Sequence, residues 1–526
     1  MKIRNTAFAA TLFAAAALLA PIYGPAIRAH AASADEVTLD RSMKSVMDAY
    51  GAIEKNFADK VSSEKAFYQG AIPGMLHTLD PHSNFVDPAD YREMQRKQRA
   101  SYRGVGMQIS MDGPHVVVME PFPGSPAWNA GLRRGDWIAA VDDKDTKGLD
   151  SAAVADMLRG ERGTQVKVTV RREGATEPVS YTVTRGDIET SIVDAFWLKP
   201  GIAYVHITSF EAQNVAKDID NLLRKMGEEN VQGLVLDLRD NPGGLVNEAV
   251  SVAGRFLRNG QIVVSHRGRA EQEQVFRAKA NPLAQKYPIV TLVNGRSASA
   301  AEIVSGALQD HDRAWVMGET TFGKGLVQAQ FPLDQGAALL LTIAHYYTPS
   351  GRLIQRDYSH QSFFDYYYAK RSETTPTDDV KPTDSGRKVY GGGGITPDEK
   401  YPGPHLNPFQ RRVLSSGSFY HFGNVYFGGS RPSLPANWEP DTDTLNRFRD
   451  FARTQPGVTF TDADFDANRG WVRDQMRYEL LFRAFDKKTA DRAQWQEDPE
   501  IQKAIESLPK AQSLLKDVQR VLAMRK

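Results

Sequence analysis

Apolar residues at Leu39, Met43, Val46, Tyr50, Ile53 and Phe57 step by fours and threes, the spacing of one face of an amphipathic helix. A second helical stretch is predicted over 63–79. Two such helices bury too little to stand alone, so they need a partner surface, and the stripe from Leu39 to Phe57 is a candidate dimer surface. Over 101–187 the period shortens. Val116-Val117-Val118, Trp137 to Val141 and Val166 to Val170 read as short strands between glycine and proline turns, with a helix over 151–159.

From 200 to 355 strand and helix alternate: strand 202–207, helix 211–226, strand 233–238, helix 247–257, strand 289–293, helix 300–308, strand 314–317. That order predicts mostly parallel strands joined by crossover helices, with ligands gathered at the strand ends. The glycine run 391–394 reads as a linker to a tail. In the tail, Ile501, Ile505, Leu508, Leu515, Val518 and Leu522 keep helical spacing and read as packing.

The first residues change the picture. Lys2 and Arg4 precede an uncharged apolar run, 7–20, and Ala29-His30-Ala31 supplies an A-x-A cleavage site, the pattern of a secretory signal over 1–31. A retained anchor is the alternative, although the run is short for a span and ends at Pro21. Removing residues 1–31 leaves 62 basic against 64 acidic side chains, a balance that attracts no nucleic acid in bulk. The chain has no cysteine, which excludes a thiol nucleophile, a disulfide scaffold and thiolate metal sites.

Residues 296–328 hold the candidate chemistry. Gly318 to Lys324 fits G-x-x-x-x-G-K, but Gly325 stands where a phosphate loop needs Ser or Thr, and the residues that follow do not read as a helix. Ser299 with Glu302 fits a helix-capping box. A serine at a strand-to-helix turn is also placed to attack a carbonyl, because free amides at the helix start can stabilise an oxyanion. No histidine completes a triad, and His311 and His345 are read as surface or core. A lysine can take the serine proton if burial depresses its pKa, and Lys324 between two glycines could be drawn inward that way. Capping and catalysis both remain open on the residues alone.

Four stretches together resemble the carboxyl-terminal processing peptidases, a Ser-Lys serine protease family: Leu79-Asp80-Pro81-His82-Ser83, Tyr102 to Met107, Leu236 to Gly244, and 296–328. The resemblance runs from about residue 40 to 400. It implies a multidomain α/β chain with a crotonase-like layered α/β protease core, a strand-rich PDZ domain before or inserted in it, and helical N- and C-terminal regions. The implied boundaries are signal peptide 1–31, N-terminal helical region 35–100, PDZ domain 101–187, peptidase core 188–400 and helical extension 401–526.

Residue by residue, the resemblance implies Ser299 as nucleophile, Lys324 as general base and Gln328 as the residue that helps hold the lysine. Ala300 and the Gly243-Gly244 turn would supply oxyanion amides, with the choice between the two glycines open. Gly104, Val105, Gly106 and Met107 would receive a substrate carboxylate, the strand near 108–111 would pair with the peptide, and Val105 and Met107 would favour nonpolar C-terminal residues. Ala301 departs from the family, which usually carries serine there.

No cofactor or metal is implied. The expected partners are proteins or peptides with exposed nonpolar C-termini, an adaptor or activator, and further copies of the chain, with no nucleic acid. The expected location is the periplasm, the cell envelope or outside the cell. A catalytically silent or partner-activated PDZ scaffold is the alternative, and the intact Ser299, Lys324 and Gln328 argue against it.

Overall fold

The computed structural model describes residues 34–97, 101–189, 192–270, 272–279, 287–359, 365–366, 379–403, 405–428, 432–435 and 437–524. The signal-peptide reading of 1–31 lies outside the described residues. The chain divides into two compact units, one up to Leu79 and one from Asp80 onward. In the first, α1 (Ala34–Asn56) carries the predicted stripe. The second predicted helix is interrupted: Ser63–Ala66 passes into a π-turn over Phe67–Ala71 and then Ile72–His77. Tyr50 of α1 packs on Phe67, ring centroids 5.1 Å apart.

The second unit opens with β1 (Asn84–Val86) and then builds the strand-rich module. Its main sheet runs β2 (Met107–Asp112), β3 (His115–Pro121), β4 (Trp137–Val141), β5 (Gln165–Arg171) and β6 (Val179–Thr184), each antiparallel to the next. Alternation does the work here: Val166, Val168 and Val170 of β5 point into a core with Val116, Val118, Ile138, Val154 and Leu158, while the residues between them face outward. β2 is an edge strand, packed beside the helix Ser151–Leu158.

The large, mostly parallel sheet of the core has six strands in the order β7 (Val193–Lys199), β8 (Ile202–Ile207), β9 (Gly233–Asp237), β11 (Ile289–Val293), β12 (Trp315–Gly318) and β15 (Glu399–Lys400). Only the β7–β8 pair is antiparallel. All residues of β9 and β11 are buried, as strands covered on both faces must be. One face packs on α2 (Val215–Met226), α3 (Val246–Phe256) and α4 (Ala300–Asp310). A second sheet places β1 and β13 (Leu326–Pro332) on β14 (Ala338–Tyr347), which also pairs with β10 (Ile262–Arg267).

Most of the described residues between 408 and 524 are helical, and several of the helices share a core of Phe409, Phe419, Phe448, Phe465 and Met476. Within them, α5 (Arg469–Ala484) and α6 (Lys487–Glu497) lead to α7 (Pro499–Met524). The predicted apolar stripe of α7 has a definite partner, since Ile501, Ala504, Leu508 and Ala511 cover the second face of the large sheet against Tyr204, Val235, Val290 and Met317.

Two sequence expectations fail. The helix expected from 211 starts at Val215, because Phe210 bridges to Gly244 and the Glu248 carboxylate of α3 caps the helix by accepting from Asn214 N and Val215 N at 3.0 and 2.9 Å. The Gly391–Gly394 run is no linker. Gly392 N and Gly394 N donate to the carbonyls of Leu353 and Ile354 at 2.7 and 3.0 Å, and a Cβ on Gly394 would sit 2.6 Å from Thr321 O, so the run is packed on the loop that leads to Lys324.

Candidate active site

The site forms where the parallel strands end. After β11 the chain turns through Asn294 to Ser297, and this turn is tied to the segment that follows β9: Ser297 Oγ donates to Leu238 O at 2.7 Å, and Ala298 N donates to Asn241 O at 2.9 Å. Ser299 comes next, partly exposed, with φ +53° and ψ −112°. For a residue with a Cβ this is a strained conformation costing about 1–3 kcal/mol, of the kind found at functional sites. α4 then begins at Ala300.

Glu302, fully buried on the first turn of α4, connects the halves of the site. Its Oε2 accepts from Ser299 N and from Lys324 N, both at 2.8 Å. Its Oε1 accepts from Gly323 N at 2.7 Å and from the Thr321 hydroxyl at 2.5 Å. The carboxylate half of the predicted capping box is therefore real, but it extends to a loop some twenty residues away. Burial pushes the Glu302 carboxyl above its usual range, and the four donors pull it back toward the charged form.

Lys324 follows β12 on a loop whose Phe322 N donates to Ser297 O at 2.9 Å, so the loop leans on the serine turn. Burial lowers the Lys324 pKa, against the opposing charges of Asp80 and Glu302. Its Nζ donates to Gln328 Oε1 at 2.9 Å, and Gln328 Nε2 donates to His82 O at 2.7 Å. The lysine's hydrogen bond thus goes to Gln328 rather than to Ser299.

The glycine turn approaches from the β9 side. Gly243 is buried with φ +99°, and a Cβ there would lie 2.7 Å from Ser299 Cβ and 2.9 Å from Ala300 N. Its N–H already donates to Asn241 Oδ1 at 2.9 Å. Gly244 is exposed, with φ +141°. The predicted residues of the turn, the serine and the lysine loop are therefore brought together.

In the strand-rich module Gly104, Val105, Gly106 and Met107 are all buried. The Val105 and Met107 side chains, 3% and 8% exposed, pack in the module's core. The loop's carbonyls are satisfied internally, Gly106 O by Ser125 Oγ at 2.7 Å and Val105 O by Ala127 N at 2.8 Å.

Sequence reasoning missed the second role of Glu302 and the involvement of His82. The S-x-x-E and D-P-H-S patterns were both visible, but their distant partners were not.

The profile of peptidase family S41 matches residues 201–359, that of the PDZ domain 117–172, and that of the activating protease CtpB N-terminal domain 19–89. The carboxy-terminal-processing protease of Bartonella bacilliformis is 38% identical over 302 residues, covering 56% of this chain and 68% of its own length. The chain belongs to the carboxy-terminal processing proteases. Carboxy-terminal processing protease CtpA of Bacillus subtilis is 31% identical over 320 residues, 61% of this chain and 68% of the relative. Among solved structures, a photosystem II D1 C-terminal processing protease shares 29% identity over 68% of this chain and 92% of its own, with a TM-score of 0.36.

As a carboxy-terminal processing protease the chain is a peptidase with a PDZ domain, acting on peptides or proteins, and its fold is the layered α/β core with PDZ domain and helical terminal regions expected from the sequence. Gly243, Gly244, Ser299, Ala300, Lys324 and Gln328 all fall inside the peptidase match. Among the described residues no helix is long and apolar enough to cross a membrane.

Proposed function

We propose that this protease is an exported serine endopeptidase that captures protein C-termini on its PDZ domain and cleaves nearby with Ser299 as nucleophile and Lys324 as general base. The observation that carries the reading is the Glu302 carboxylate, which holds the backbone amides of both Ser299 and Lys324 at 2.8 Å. A shared acceptor of this kind fixes the two side chains in register, and positioning is a large part of catalysis. A partly buried lysine with a lowered pKa suits the base.

The proposed sequence starts with neutral Lys324 taking the Ser299 proton as Oγ attacks the scissile carbonyl. The contact between them forms when substrate is seated, since catalytic hydrogen bonds commonly tighten only in the complex. The developing oxyanion is met by Ala300 N–H, at the start of α4, and by Gly244 N–H. Gly244 is favoured over Gly243 because the Gly243 amide is occupied by Asn241 and Gly243 itself is buried. The intermediate collapses to an acyl-enzyme, Lys324 protonates the leaving amine, and water completes hydrolysis.

The edge strand β2 offers its unpaired side for an added peptide strand, and the amides of 104–107 a place for the terminal carboxylate. Export by a signal at 1–31, an adaptor or activator, and self-association belong to the same reading. Leu39, Met43, Val46, Ile53 and Phe57 of α1 are 45–62% exposed, a stripe suited to a second copy. Unchanged assembly mass after charge substitutions along it excludes that surface.

The test is cleavage of an unfolded reporter protein with an apolar free C-terminus. Wild type should cut, folded Ser299→Ala and Lys324→Ala should not, and amidating the reporter's C-terminus should slow cutting. The rate should rise to a plateau as Lys324 loses its proton. Cutting by Ser299→Ala, or indifference to amidation, refutes the corresponding half of the proposal.

A further inference from the structure

The Asp80–Ser83 stretch is a tight turn built around one carboxylate. Asp80, buried at 6% exposure, accepts from His82 N and Ser83 N through Oδ1, both at 2.7 Å, and from the Ser83 hydroxyl through Oδ2 at 2.6 Å. Pro81 fixes a backbone angle between them. Ser83 Oγ in turn accepts from Thr342 N at 3.1 Å, and Thr342 on β14 is the register partner of Gln328 on β13. The chain then continues into β1, paired with the same strand β14. So much bonding for four residues fixes one backbone atom, the His82 carbonyl oxygen, which accepts from Gln328 Nε2 at 2.7 Å.

That contact decides the chemistry of the opposite end of Gln328. A carbonyl only accepts, so the amide must turn its NH2 toward His82 and its oxygen toward Lys324. A neutral lysine has two N–H bonds and one lone pair. An amide oxygen engages an N–H and leaves the lone pair free for the serine proton. A flipped amide presents N–H to the amine and consumes that lone pair.

We propose that the Asp80–Ser83 turn is a positioning element of the peptidase: through the His82 carbonyl it sets the polarity of the Gln328 amide, and so keeps the Lys324 lone pair available to Ser299. The inference rests on the Ser299–Lys324 reading above. Asp80 touches neither substrate nor reacting atoms; its charge also opposes the lowering of the Lys324 pKa, an effect that drops out of rates compared where the lysine is neutral.

The experiment is a double-mutant cycle on the full chain with the unfolded reporter, run on the alkaline plateau where the lysine is neutral in every variant. Asp80→Ala should lower kcat by about tenfold or more, with KM within about twofold, on the scale that small misplacements cost. In the Gln328→Ala background the same substitution should cost nothing further, since the path through Gln328 is already cut. If Asp80→Ala does not fold, Asp80→Asn, which keeps the oxygen for the two amides, carries the same cycle with a smaller first loss. Wild-type kcat in Asp80→Ala, or losses that add in the double variant, overturn the inference while leaving an inactive Ser299→Ala, and hence the proposed mechanism, standing. Full activity in Ser299→Ala overturns both.

Discussion

Glu302→Gln replaces one of two oxygens that together accept four hydrogen bonds inside the protein. The amide can keep its oxygen toward Ser299 N and Lys324 N, and its NH2 then faces Gly323 N–H and Thr321. Thr321 Oγ1 already accepts from Ile395 N at 2.7 Å, so turning its hydroxyl repairs one contact only. Gly323 N–H is left buried without an acceptor. Losing one or two charge-assisted bonds costs about 1.5–3 kcal/mol each, partly offset because no charge is buried any longer. A net loss of about 2–4 kcal/mol falls on the contact that registers the lysine loop against the serine turn.

We expect Glu302→Gln to remain folded but to lose about 10²-fold in kcat, the scale of a misplacement near 1 Å. Thr321→Val, which removes the 2.5 Å contact to Glu302 together with the acceptor of Ile395 N, should lose about tenfold. Reporter cleavage read with thermal unfolding separates the cases. A Glu302→Gln enzyme with wild-type kcat would refute the idea that one carboxylate holds both halves of the site.

Three further outcomes follow from the geometry. Gly243→Ala should abolish measurable turnover in a folded protein, because its Cβ at φ +99° would meet Ser299 Cβ, Ala298 O and Ala300 N within 2.9 Å and two of the three are backbone; retained activity would show that the turn can retreat. His311 presents its ring nitrogens to Asp384 Oδ2 and Ile262 O, both at 2.8 Å, and although burial lowers its pKa, Asp384, that carbonyl and the nearby Asp310 raise it overall. A raised folded value means stability fully present below about pH 6.5 and lost as pH rises through the folded pKa, so melting temperature should fall from pH 6 to 9 in wild type but not in His311→Asn. Glu479→Ala should strip the shared carboxylate from Arg134 of the PDZ region and Arg483 of α5, both bonded to it within 2.9 Å, and cost about 3–5 kcal/mol, seen as faster hydrogen exchange on both sides of that contact and contradicted by unchanged exchange.

How far the sequence could be read depended on whether a residue's partners were local. β5 was legible because the alternation of Val166, Val168 and Val170 is itself the burial pattern. The α4 start was legible because Ser299 and Glu302 are one turn apart. The second half of Glu302's bonding was not, since its other donors are 19, 21 and 22 residues away and arrive only when β12 takes its place in the sheet. Gly391–Gly394 misled for the opposite reason: composition cannot tell a solvated spacer from a close-packed backbone, and here the missing side chains let the run press against Thr321.

The packing of α7 also sets a timetable. The second face of the large sheet is covered by Ile501 to Ala511, and Arg239, three residues after Leu236 of β9, is clamped from the same direction by Asp498 and Glu500 at 2.9 and 2.8 Å. These residues are synthesised, and enter any translocation channel, long after Ser299 and Lys324. Until they arrive, Tyr204, Val235, Val290 and Met317 on that face of the sheet lack the cover that α7 gives them. The last helix to be made is thus part of the core rather than an appendage to it.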